Sequence, residues 1–262
     1  MSTERGRPEV DEVRSAFFQS AYEQGAPWDI GRPQRAIVEL WEAGEIVGDV
    51  LEVGCGFAEN ALFLAAQGLR VCGVDMMEPA IARAREAASA RGLDVDLRVG
   101  NALRLAELGR RFDTLVDSAL LHVFEPEDRP AFAASLASVL APGGCYHALY
   151  FREGPRAISP EALRAAFGPG WKVRSLREAH YEETDPEGAA AWLATLVLSH
   201  PRTVIDSKED TREGDVQGLD LPGIPPRDVK KVGKATAGRG AWMHQEAEEG
   251  LAGSPGNSRK RG

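Results

Sequence analysis

DVLEVGCGFAENALFLA, residues 49–65, decides how the chain is read. Asp49 to Val53 is short and apolar with β-branched valines, which suits a strand. Gly54-Cys55-Gly56 is a turn, and Ala58 to Gln67 is predicted as a helix with Leu62 and Leu64-Ala65 turned inward. Glycines suit such a turn because the backbone reverses tightly and lets a ligand come close. A G-x-G alone says little. The context says more: Asp75 closes the next strand, about 20 residues on, where a carboxylate accepts two hydrogen bonds from a ribose diol.

Strands and helices continue to alternate outward from this stretch. Strands are predicted at Arg70–Val74, Val95–Val99, Phe112–Val116 and Cys145–Phe151. Glu78–Arg91 reads as a helix stopped by Gly92. A further helix starts at Asp128 with Pro130 in its first turn, buries Phe132, Leu136, Val139 and Leu140, and ends at APGG. Two more strands fit Trp171–Leu176 and Ala191–Leu198, joined through a turn at TDPEG (184–188). The expected fold is therefore α/β: a Rossmann-like, seven-stranded, mostly parallel sheet with helices on both faces and an antiparallel C-terminal hairpin.

This core spans 49–198. Before it, residues 1–48 carry a helix with Val13, Phe17 and Ala21 on one face, ending near Gln24-Gly25. The turn-rich GAPWDIGRP follows, and then a second helix from Gln34 to Ala43 with Ile37, Leu40 and Trp41 on one side. After it, residues 199–262 lose apolar periodicity and are rich in charge, Gly and Pro, which predicts a disordered tail.

Composition limits the partners. A formal net charge of −9 repels nucleic acid phosphates and anionic lipid, and the short basic SRKRG at 258–262 does not reverse that. No apolar run approaches the roughly 20 residues of a membrane helix. The polar N-terminus MSTERGRPEVDEV lacks the apolar core of a signal peptide. Cys55, Cys72 and Cys145 are odd in number and fit no zinc spacing, so free buried thiols, no metal and a cytoplasmic location are expected. The sequence does not fix the oligomeric state.

The ligand is narrowed by charge. A dinucleotide fingerprint would place a third glycine at position 59, but Glu59 stands there, where a carboxylate would repel a pyrophosphate. The cleft is expected to gather Glu52, Glu59, Asp75 and Asp117. Such a cleft suits a ligand with a sulfonium and an ammonium group and no phosphate, as in S-adenosylmethionine. Solvated loop acids are the alternative reading for Glu59 and Asp75.

LEVGCGFAEN (51–60) resembles motif I of the class I S-adenosylmethionine methyltransferases, although Ala58 replaces a frequent third glycine. That resemblance implies cofactor roles for Glu52, Gly54 and Gly56. GVDMMEPAI (73–81) resembles their second motif, with Asp75 on the ribose and Met76 against adenine. VGNALRL (99–105) resembles the third, with Asn101 in a position often held by Asp, and Ala102 beside it. GAPWDIGRPQ (25–34), RFDTLVDSALLHVF (111–124) and APGGCYHALYF (141–151) are similar to the thiopurine, halide and thiol methyltransferases and to bacterial enzymes acting on heterocyclic hydroxyls. In that group the N-terminal segment folds over the cofactor. The resemblance thus implies a helical lid at 1–48, with Trp28 near the methionine part and Asp29 and Gly31 shaping the lid; plain core packing is the alternative for Trp28.

Methyl transfer to a neutral hydroxyl or thiol needs a base as well as positioning. His122 lies just beyond the fourth strand, at the ligand-binding edge of such a sheet, and imidazole titrates near neutrality. It is read either as that base or as a structural histidine. His147, inside a strand, is read as core. Phe17, Phe18, Tyr22, Phe124 and Phe151 are candidates for an aromatic wall, with His180 and Tyr181 at its rim. The expected activity is methyl transfer from S-adenosylmethionine to O, S or N of a small planar acceptor. An NAD-linked oxidoreductase and a non-catalytic S-adenosylmethionine-binding protein are the alternatives.

Overall fold

A computed structural model describes residues 8–199, with side chains from residue 16. The tail expected beyond Ser199 lies outside the described residues, as does the side chain of Val13. The elements run α1 (Pro8–Gln24), α2 (Arg35–Glu42), β1 (Asp49–Val53), α3 (Glu59–Ala66), β2 (Arg70–Asp75), α4 (Glu78–Ala90), β3 (Asp96–Val99), β4 (Phe112–Ser118), α5 (Arg129–Val139), β5 (Leu140–Phe151), α6 (Pro160–Phe167), β6 (Trp171–Tyr181) and β7 (Ala189–Leu198). Short 3₁₀ segments lie at Ala102–Leu108 and Leu121–Val123.

The seven strands form one sheet in the order β3-β2-β1-β4-β5-β7-β6. The first five in that order are parallel, and β7 enters antiparallel between β5 and β6. The chain order reverses between β1 and β4, which is where such sheets open a crevice at their C-terminal edge. Alternate strand residues feed two apolar layers. Leu51 and Val53 pack with Phe132, Leu136 and Tyr146 on one face, while Val50 packs with Ile37, Leu62 and Ile81 on the other. Each such side chain contributes about 1.5–3 kcal/mol by leaving water. Helices α2, α3 and α4 thereby cover one face and α5 and α6 the other.

Several local expectations are revised. APGG does not separate α5 from β5. The strand begins at Leu140, paired with Phe112, and resumes at Cys145, paired with Thr114, so that Ala141–Gly144 form an irregularity inside it. A Cβ on Gly144 would lie 2.6 Å from the Asp113 carbonyl, so the close approach requires glycine. Asp128 precedes α5 without a side-chain capping bond. Helix α6 was not predicted, although SPEALRAAFG carries its signals. Ser159 accepts a hydrogen bond from the Ala162 amide at 3.2 Å, Pro160 opens the first turn, and Gly168 stands past the end. On α1, Phe17 is 62% exposed, and Phe18, Ala21 and Tyr22 form the partly buried stripe instead.

Candidate active site

A cavity of about 520 Å³ opens at the C-terminal ends of β1, β2 and β4. Trp28, Glu52, Gly54, Gly56, Asp75, Met76, Asn101, Ala102 and His122 all line it. Asp117 does not. It is fully buried beneath, accepting hydrogen bonds from the Tyr146 hydroxyl at 2.7 Å and from the Leu120 and Leu121 amides at 2.7 and 3.1 Å. The expectation that it faces the cleft is thereby corrected: its carboxyl, pushed up to about 7 by burial, braces the turn that carries His122.

The glycine turn is tied down by its own chain. The Gly54 and Cys55 amides both donate to the Val74 carbonyl, at 2.7 and 3.0 Å. The Gly56 amide donates to Asp75 Oδ2 at 2.9 Å, and the Met77 amide to Asp75 Oδ1 at 2.9 Å. A Cβ on Gly54 (φ 70°) would meet the Leu120 side chain at 2.9 Å, and one on Gly56 (φ 53°) the Tyr22 hydroxyl at 3.1 Å. Ala58 and Ala119, with φ of 64° and 71°, are the two non-glycine residues in the left-handed region among the described residues, and both line the cavity. Strain of that kind gathers at functional sites.

Glu52, 1% exposed, accepts from Asn60 Nδ2 and from the Ala61 amide, each at 2.8 Å. Its carboxyl thus occupies the first turn of α3, the place a phosphate would need. Burial pushes its pKa up to about 8. Glu59, expected to hold that role, instead forms a two-point pair with Arg91 at 2.6 and 2.8 Å. The turn therefore excludes a pyrophosphate through Glu52 and through its committed amides, and not through Glu59. Asp75 is 8% exposed and raised by burial, against the lowering effect of its backbone donors. Acceptors for a diol and no cradle for an anion at the glycine turn fit a phosphate-free, cationic nucleoside ligand such as S-adenosylmethionine.

Asn101 Oδ1 accepts from the Leu103 amide at 2.8 Å, capping the 3₁₀ segment and keeping a second lone pair. Met76 is 40% exposed at the cavity edge. Phe17, Phe18, Tyr22, Phe124, Phe151 and Tyr181 all line the cavity. Trp28 meets Phe18 and Tyr22 edge-on, with ring centroids 5.8 and 5.9 Å apart. Asp29 pairs with Arg83 at 3.1 Å, which ties the segment after α1 to α4. His180 is not part of the lining. His147 is fully buried within β5, near Thr195, Cys145 and the Glu45 carbonyl. Cys55, Cys72 and Cys145 are buried and unpaired.

His122 is 7% exposed and stacks on Phe151, with centroids 4.0 Å apart and planes at 18°. Its Nδ1 is buried without a partner among the described residues. Burial first, then the Arg156 and Arg129 charges, push its pKa down to about 4, which corrects the expectation of near-neutral titration. Arg156 was not found by sequence reasoning, since nothing in REGPRAIS marks it. Its Nη1 donates to the carbonyls of Val123 and His122 at 3.2 and 3.4 Å. Among the described residues no group of three or more His, Cys, Asp or Glu could hold a metal ion, and no helix is long and apolar enough to cross a membrane.

A family model described as a methyltransferase domain matches residues 50–144. A 2-heptyl-1-hydroxyquinolin-4(1H)-one methyltransferase of Mycobacteroides abscessus is 35% identical over 181 residues, covering 64% of this chain and 80% of that protein. A probable thiol methyltransferase 2 of Arabidopsis thaliana is 28% identical over 154 residues, covering 58% and 68%. A solved structure concerned with conversion of a disulfide bond into a thioacetal group during echinomycin biosynthesis superposes with a TM-score of 0.63. It is 34% identical and covers 71% of this chain and 90% of its own.

Proposed function

We propose that this chain, which belongs to the class I S-adenosylmethionine-dependent methyltransferases, methylates an oxygen, sulfur or nitrogen of a small planar acceptor. The cofactor is S-adenosylmethionine. One observation carries the acceptor reading: the strand-end carboxylate Asp75, the buried His122 and an aromatic wall face a single cavity. Relatives that act on a hydroxyquinolone and, by their name, on thiols support the same class of acceptor.

When bound, the cofactor supplies an electrophilic methyl group on a positively charged sulfur, which departs as a neutral thioether. The residues do the rest. Asp75 accepts from the ribose diol with the lone pairs its backbone donors leave free. Glu52 and the Gly54 and Gly56 turn shape the floor and keep phosphates out, with Asp117 bracing the wall from below. Asn101 and Ala102 border the base, and Met76 lies against it. Trp28, with α1 and the turn after it, covers the methionine part as a lid. Apolar rings exclude water and hold the acceptor in line. His122 stays neutral at physiological pH and offers a ring nitrogen to the acceptor atom.

The acceptor is a small molecule, since a net charge of −9 disfavours nucleic acid, and three unpaired thiols suit the cytoplasm. The test is a screen with methyl-labelled cofactor against hydroxyquinolones, phenols, thiols and halides. Label transfer to at least one planar hydroxyl or thiol is expected. Cofactor binding without transfer to any of these would leave the chain a binding protein, and NADH binding would revive the oxidoreductase reading.

A further inference from the structure

Several charged side chains lining the cavity are paired or sealed, with the Glu183 carboxylate not among them. Asp29 pairs with Arg83, Arg32 with Glu182 at 2.9 Å, and Glu59 with Arg91. Glu52 is sealed and raised, and Asp75 is occupied by backbone amides. Arg156 is the one cation of the lining with no carboxylate partner among the described residues.

Its backbone is held, and its side chain is exposed at the cavity rim. Ala157 closes a turn by donating to the Gly154 carbonyl at 3.1 Å, and Ile158 donates to the Phe151 carbonyl at 3.1 Å while 1% exposed. The guanidinium rests on the backbone carbonyls of His122 and Val123 through Nη1 alone, so its other donors have no protein acceptor among the described residues. An arginine remains protonated throughout the working pH range. Beside it stands a neutral imidazole on an aromatic slab, which brings no charge of its own.

We propose that Arg156 selects the acceptor by charge, so that the cavity takes heteroaromatic hydroxyls and thiols as their anions, with the ionised atom facing the guanidinium beside His122. This rests on the methyl-transfer reading above. An anion entering an apolar cavity loses hydration and needs a fixed cation in return. Burial is the larger reason that His122 stays neutral, and the Arg156 charge that adds to it favours an oxyanion or thiolate at the same place. Arg129 adds to that charge from the start of α5, offset in part by Glu125 and Glu127 beside it. Tyr181, held protonated by burial, adds no charge, whereas the Glu183 carboxylate, also in the lining, opposes it. The proton leaves the acceptor to water before binding. The acceptor's lone pair then forms the bond to the methyl carbon as the carbon–sulfur bond breaks and leaves its electron pair on sulfur, so the anion and the sulfonium both end neutral and no protein group stores a proton.

The test is optical and needs no turnover. 4-Nitrophenol, whose phenolate is coloured, is titrated with the protein across its own ionisation range, with 4-nitroanisole as the uncharged control. The bound phenol is expected to ionise at lower pH than the free one, and the anisole to bind less tightly. Arg156→Met should weaken phenolate binding about twofold to fivefold, as for an exposed ion pair, and abolish the shift, while Arg156→Lys keeps part of both. Unchanged melting and S-adenosylmethionine affinity by calorimetry establish that each variant is folded. A bound phenol that stays protonated, a shift that survives Arg156→Met, or no binding of the phenolate at millimolar concentration overturns the proposal. Absence of S-adenosylmethionine binding by the unaltered protein would instead overturn the methyl-transfer reading and leave the phenolate measurement standing.

Discussion

Asp75 and Gly56 are joined by a hydrogen bond of 2.9 Å from the glycine amide to Oδ2, which links the end of β2 to the turn after β1. The same carboxylate is proposed to hold the cofactor ribose, so one side chain both shapes the turn and reads the ligand. Asp75→Ala is therefore expected to weaken S-adenosylmethionine binding by about 1.5–3 kcal/mol, the range for hydrogen bonds to a charged group. Asp75→Asn, which keeps one acceptor oxygen, should lose less. Calorimetry giving an unchanged affinity for a folded Asp75→Ala protein would remove Asp75 from the binding site.

Gly56 sits in the left-handed region under the Tyr22 hydroxyl. Gly56→Ala should cost about 1–2 kcal/mol from its backbone conformation alone, and its Cβ presses on Tyr22 besides. Tyr22→Phe in the same chain should relieve the second part and not the first. Thermal melting of the two variants separates these contributions. Equal melting of the single and double variants would mean that Tyr22 yields freely.

His122 is held neutral, so the imidazole should not set the acid limb of turnover. With an acidic acceptor, kcat/KM is expected to fall at the acceptor's own ionisation and to show no inflection near 6.5. His122→Gln should lower kcat while cofactor affinity stays close to that of the parent. The loss should fall toward or below the low end of the 10²–10⁴ usual for a positioned base, because a group of pKa about 4 is a weak one. An inflection near 6.5 that disappears in the variant would assign His122 as a conventional base instead.

Stability should depend on pH through three buried groups. Glu52 and Asp117 have folded pKa values raised to about 8 and about 7. Each contributes stability that is fully present below its unfolded value and is lost as pH rises through the folded one. His122, lowered to about 4, works the other way: its contribution is lost as pH falls from the ordinary 6.5 toward 4. Melting temperature without cofactor should thus decline from near pH 5 to pH 8, and Glu52→Gln should flatten the alkaline part of that decline. An identical slope in the variant would show that Glu52 is ionised in the fold without penalty.

The sheet and most of its helices were legible because they rest on periodicity and turn chemistry, which are local. β1 was read to its observed ends from a short apolar run and the glycines that follow it. Helix α6 was equally local and was passed over, although Ser159, Pro160 and Gly168 bracket it. The candidate site was legible where a residue's place follows from its strand: Asp75 at the end of β2, His122 just past β4. Asp117 was misplaced because its strand end is shared by a side chain facing inward, where Tyr146 on the neighbouring β5 claims it.

The sequence by itself determined the alternation of strand and helix, the glycine turn and the carboxylate that closes β2, since each depends on residues within one or two elements. Only the tertiary structure decided which charges survive in the cavity. Glu59 is cancelled by Arg91, 32 positions away, and Glu52 is turned into a cap for α3. Arg156, 34 positions from His122, is brought to the His122 and Val123 carbonyls from a loop with no motif. The physical reason is that electrostatic interaction depends on distance and burial in space, and neither is encoded by spacing along the chain.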